Sequence, residues 1–239
     1  MTQRNDRTYS ANVLCGARLI PLTRRGVAAA LALGVALLAG CGGGPIPKTN
    51  YYRLHLPQPV IAPGAALPAT AVLQTLQASA MLTQDRIVYR PSQEEVGFYE
   101  YHRWAEDPRT TITNSLLSHL RQRGTFSQIV HFDGRARGDY MIRGRIEQLE
   151  EIDFGGGVSV RVQLSLEMIE VESRKPVWQK TAESSSAVSV GEVRDVVAQM
   201  SAAVNKSVEE LATGLDAFLR SSAPQSSAAS ALPLPEDQR

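Results

Sequence analysis

The sequence predicts an α/β fold: a single domain in which a mixed β-sheet is flanked by helices. Three observations predict it. Val158, Val160, Val162, Leu164, Leu166 and Met168 alternate without a break with polar residues, the period of a strand with one buried face. Val193, Val196, Val197, Met200, Val204, Val208, Leu211, Leu215 and Phe218 recur at three-to-four spacing, the stripe of one long helix. Along the chain the order is strands, a shorter helix, meandering strands, then the long helix.

Each element has a local cause. Tyr51 to Leu56 (YYRLHL) alternates and predicts a first strand, followed by a Pro/Ala loop from Pro57 to Pro68. Ala71 to Ser79 predicts a second strand. Arg86 to Arg90 is a short strand that Pro91-Ser92-Gln93-Glu94 turns back into Val96 to Trp104, forming a hairpin. Asp107 followed by Pro108 marks a capped helix start, Ile112, Leu116, Leu117 and Leu120 form its buried face, and Gly124 ends it. Phe126 to Phe132 predicts the next strand. Asp139 to Ile152 carries Tyr140, Ile142 and Ile146 on one face, opposite Arg143, Arg145 and Glu147. Gly155-Gly156-Gly157 turns the chain into the alternating strand, and Ser173-Arg174-Lys175-Pro176 turns it again into a strand from Val177 to Ala187. Ser189 and Glu192 have the spacing of a capping box for the last helix.

The N-terminal segment indicates where the protein resides. Arg24 and Arg25 precede the apolar run Gly26 to Ala39, and the small residues Ala39 and Gly40 precede Cys41. This is the layout of a secretory signal peptide, and the run is too short to make a comfortable permanent span. Leu38-Ala39-Gly40-Cys41 resembles the lipobox of bacterial lipoproteins. The resemblance implies cleavage between Gly40 and Cys41 and lipidation of Cys41, which becomes the acylated N-terminus. Several acyl chains anchor a protein stably where one does not, and lipoproteins of this type carry three. The only other cysteine, Cys15, leaves with the leader, so no internal disulfide remains. Gly42 in place of an Asp favours the outer membrane over the inner.

The predicted organisation is therefore a leader over 1–40, a lipidated cysteine with a Gly/Pro tether over 41–49, a folded domain over 50–220 and a disordered tail over 221–239. Five arginines and one aspartate fall in the first 40 residues, which turns 25 basic and 24 acidic residues into 20 and 23. A mildly acidic domain has no electrostatic footprint for nucleic acid.

No catalytic constellation stands out. His55, His102, His119 and His131 make no metal-ligand spacing and are expected at surface or half-buried positions. A Gly-x-Ser-x-Gly elbow is absent. The triple glycine precedes a strand, not a helix that could hold an anion. Glu147, Glu150, Glu151 and Asp153 are expected at a solvated strand end, since a general acid/base pair needs opposed carboxylates in a cleft. No cofactor and no metal are expected, and no enzymatic activity. Phe98 and Trp104 share one side of their strand by parity, Tyr99 and Tyr101 the other, so one set is expected in the core and one half exposed. Tyr99, Tyr101 and Trp104 are the candidate partner interface, because tyrosine and tryptophan bury a large area while keeping a polar tip.

The stretches TNYYRLHLP, DRIVYRPSQEEVGFYEYHRWAEDP and LLSHLRQRGTFSQIV resemble the auxiliary lipoproteins of ABC-type intermembrane transport systems, the PqiC-like group. The resemblance covers about Asn50 to Leu219 and marks a scaffold rather than an active site. It implies an α/β sandwich with anticodon-binding-domain-like topology. It also implies a lipid-anchored position on the periplasmic face of the outer membrane, and a partnership with an MCE-domain tunnel protein that has a permease and an ATPase at the inner membrane. The lipoprotein would dock the far end of the tunnel, as a homo-oligomeric ring if it follows the tunnel's cyclic symmetry. The competing reading is an assembly or pilotin-like lipoprotein for another outer-membrane complex.

Overall fold

The computed structural model describes residues 47–60, 64, 66–189 and 192–222. The leader, Gly40 and Cys41, together with most of the expected tether and tail, lie outside the described residues. Among the described residues nine strands form one mixed sheet, with two α-helices. The strands are β1 (Asn50–Tyr52), β2 (Leu67–Leu73), β3 (Gln77–Ala78), β4 (Arg86–Arg90), β5 (Gly97–Trp104), β6 (Phe126–His131), β7 (Tyr140–Asp153), β8 (Val158–Glu170) and β9 (Lys175–Ala187). The helices are α1 (Pro108–Arg123) and α2 (Val193–Ser222), and a short 3-10 turn occupies Ala80–Thr83.

Strand β7 organises the sheet. One of its edges pairs antiparallel with β8 along nearly its whole length, and β8 pairs antiparallel with β9. Its other edge takes three parallel neighbours in succession: β2 at Tyr140–Ile142, β3 at Arg145–Ile146 and β4 at Glu151–Ile152. Beyond β2 lies β6, beyond β4 lies the antiparallel β5, and beyond β5 the parallel β1.

The apolar alternation of β8 does what its period demands. Val160, Val162, Leu164, Leu166 and Met168 are all buried, and α2 lays Met200, Val204, Val208, Leu211 and Leu215 into the same core. Helix α1 adds Ile112, Leu116, Leu117 and Leu120. Its ends follow the local signals: the Asp107 carboxylate accepts the Arg109 N–H at 2.9 Å, and Gly124 closes it in the left-handed region at φ 62°. A side chain there would be strained, so glycine is the natural stop.

Four expectations change. The first strand ends at Tyr52, because Leu54 turns into the core and the His55 N–H donates to Ser201 Oγ on α2 at 3.1 Å. The second strand splits into β2 and β3, because the Leu76 N–H donates to Thr113 Oγ1 on α1 at 3.0 Å instead of to a neighbouring strand. Helix α2 starts at Val193, not after Ser189, and at its start the Asp195 carboxylate accepts the Glu192 N–H at 3.1 Å. It also runs to Ser222, past the expected domain end at 220.

Candidate functional site

Two irregularities build the site. The first is in β5. Arg86 lies opposite Arg103, and Val88 opposite Phe98, so β4 advances two residues while β5 advances five. The additional length carries Tyr99, Glu100, Tyr101 and His102 out of simple alternation. Bulges of this kind re-aim side chains and occur beside functional sites. Parity therefore does not sort these aromatics: Phe98 and Tyr99 both pack against the core that contains Trp104.

The second irregularity is in β7. Ile146 pairs with Leu164 and Gln148 with Gln163, leaving Glu147 as the extra residue. One extra residue exchanges the two faces of everything that follows. Before it, Ile142 and Ile146 face the core; after it, Leu149 and Glu151 do, opposite Val162 and Val160. Glu151 is consequently 4% exposed; Glu150, on the other face, is 1% exposed, and both correct the expectation of a solvated strand end.

Together these place an aromatic row against a buried carboxyl group. The Tyr52 ring stacks on His102 at 5.6 Å between centroids, with the phenol oxygen 2.9 Å from Nδ1. His102 meets the edge of Tyr99 at 5.4 Å, and Tyr99 meets Tyr89 at 5.0 Å. The Tyr99 hydroxyl donates to Glu151 Oε2 at 2.9 Å. Burial, then the adjoining Glu151 charge, push the Tyr99 phenol well above its ordinary range. Burial also raises the Glu151 carboxyl, against the opposing effect of the Tyr99 hydroxyl. On the other face Glu150 lies 3.8 Å from Arg90 Nη1 and directly across the ladder from Arg161. Burial raises its pKa despite both guanidinium groups.

The expected interface residues are placed unequally. Trp104 is 7% exposed and belongs to the core. Tyr99 is half-buried and committed to Glu151. Tyr101 is half-buried, and its phenol is raised by a hydrogen bond to Glu100. The histidines are scattered. His55 is exposed, and His131 Nε2 sits 2.9 Å from Thr75 Oγ1. His119 is buried, which corrects its expected surface or half-buried position, because the helix face that carries it turns toward the rest of the fold. No group of three or more His, Cys, Asp or Glu is placed to hold a metal among the described residues.

Adjacent residues of a strand point to opposite faces, so Glu150 and Glu151 cannot serve as an opposed acid/base pair in one cleft. The cluster is built for packing: stacked rings, one buried hydrogen bond and a half-exposed tyrosine at its rim. Sequence reasoning placed Glu150 and Glu151 in solvent and did not single out Arg90 and Arg161. The available signal was Leu149-Glu150-Glu151-Ile152, where alternation breaks as it does at a bulge.

The model of the family described as "ABC-type transport auxiliary lipoprotein component" matches residues 52–212, well over half the chain. Among solved structures, the chain resembles protein XCC0632 from Xanthomonas campestris, with a TM-score of 0.64 at 15% identity. That likeness covers 72% of this chain and 98% of the other. A second, uncharacterised protein has a TM-score of 0.55 at 12% identity, over 71% of this chain and 99% of its own. At such identities the likeness shows the fold. No curated protein matches the sequence.

Proposed function

The chain belongs to the family of ABC-type transport auxiliary lipoprotein components, and from that membership we propose that it is the non-enzymatic outer-membrane partner of an MCE-type intermembrane lipid transporter. Cys41 is the acylated N-terminus, and the domain faces the periplasm. It holds the tunnel protein against the outer membrane, while the permease and ATPase supply the energy from the inner membrane. Its contribution to flux is tethering: a bound tunnel end stays at high effective concentration beside the membrane.

The observation that carries the reading is the family match over residues 52–212, downstream of the charged-then-apolar run that stops at Cys41. Tyr101, half-buried and next in the chain to His102 of the aromatic row, is the proposed contact with the tunnel protein, together with Tyr99 and Trp104 of the same strand. Mass spectrometry of the native protein should find Cys41 as the first residue, carrying acyl chains, in the outer-membrane fraction. Tyr101→Ala should leave that placement unchanged and reduce recovery of the MCE protein in mild detergent. An unmodified Cys41, or no MCE protein recovered with the wild type, overturns the reading.

A further inference from the structure

We propose that the β1 end of the domain rests on the anionic headgroup layer of the membrane that holds the anchor, through Tyr51, Lys48 and Arg53. The proposal rests on acylation of Cys41. Lys48 lies seven positions after Cys41, so the backbone between them reaches at most about 25 Å. Whatever the path of that segment, the first residues of the sheet stay within that distance of the acyl chains.

The residues at this end suit the headgroup layer. Tyr51 is 65% exposed, although large apolar side chains are otherwise mostly covered. Tyrosine favours the membrane interface, where its ring meets acyl chains and its hydroxyl meets water. Lys48 and Arg53 are exposed, and neither has an ion-pair partner among the described residues. Two neighbouring cations are neutralised: Arg103 by Asp85 at 2.6 Å and Arg194 by Glu192 at 2.7 Å. A hollow of about 910 Å³ opens beside Lys48 and Tyr51, lined also by Tyr52, His102 and the paired Glu192 and Arg194. Basic residues near an anionic surface each add attraction, and an acyl anchor supplemented by cations holds more firmly than the anchor alone. Lipid phosphate is the occupant that matches two free cations beside an exposed tyrosine on a short leash.

The test uses the full-length protein, processed and acylated, reconstituted in vesicles of phosphatidylcholine alone or with added phosphatidylglycerol. An environment-sensitive dye is placed at Tyr51→Cys. A control dye is placed at Val171→Cys, an exposed position in the turn between β8 and β9, beside the opposite end of β7 from β4. With Cys41 acylated, each variant has one free thiol. The dye at 51 should shift toward an apolar signal when phosphatidylglycerol is added, and the dye at 171 should not. Lys48→Ala with Arg53→Ala should reduce the fraction in contact about tenfold. Equal responses at 51 and 171, or a response at 51 only on adding the MCE protein, overturns the proposal and leaves the anchor intact. Protein that fails to float with either vesicle overturns the anchor and this proposal together.

Discussion

Glu150 and His119 are both buried ionisable groups, and they pull stability in opposite directions with pH. Burial raises the Glu150 carboxyl above its ordinary 4.5, so the folded chain holds a proton that the unfolded chain has released. Its contribution is complete below about 4.5 and is lost as pH rises through the folded value. Burial, reinforced by Arg123, lowers the His119 imidazole below 6.5, against the opposing charge of Glu209. Here the unfolded chain takes the proton first, so stability is complete above about 6.5 and is lost as pH falls toward the folded value. Urea denaturation from about pH 4 to about pH 8 separates the two. Glu150→Gln should gain stability relative to wild type as pH rises above about 4.5, and His119→Gln should gain relative to wild type as pH falls below about 6.5. Parallel profiles for wild type and either variant would show that the residue does not titrate as its burial requires.

At the scale of elements, β7 concentrates the constraints. The extra residue at Glu147 sets which acid faces the core, and three residues earlier Gly144 sets how closely the strands approach. A Cβ at Gly144 would lie 2.5 Å from the Ser165 carbonyl oxygen and 2.6 Å from a Leu76 methyl. The carbonyl belongs to the β7–β8 ladder and cannot swing aside as a flexible side chain would. Gly144→Ala should therefore cost about 1–3 kcal/mol of stability in urea denaturation, by overpacking. A neutral substitution would mean that the strands can separate locally without loss. The longer excursion in β5 acts differently, moving its aromatics out of register and bringing Tyr99 within reach of Glu151.

Across the whole domain, the sheet depends on contacts distant in sequence. Helix α2 packs over β8 and β9, and the chain leaving β1 crosses both helices. There His55 binds Ser201, Gln58 binds Ser118, and the Gly64 N–H donates to the Arg123 carbonyl. Leu211 is 2% exposed at the centre of the α2 stripe, while Lys206 on the same helix is exposed. Leu211→Ala should cost about 2–5 kcal/mol, and Lys206→Ala close to nothing, in the same urea measurement. Equal effects would mean that α2 is not held by its apolar face.

The sequence by itself determined the fold class, the limits of α1, the alternation of β8 and the stripe of α2. Each of these depends on neighbours a few residues apart: an aspartate before a proline, a glycine in the left-handed region, a period of two or of three to four. Only the tertiary structure decided that Glu150, Glu151 and His119 are buried, that Tyr99 is bound to a carboxylate and that Trp104 lies in the core. Those outcomes turn on register. One inserted residue in β7 and the longer excursion in β5 reverse or erase the alternation from which faces are inferred, and the partners that fix them, Tyr99 with Glu151 above all, lie dozens of residues apart.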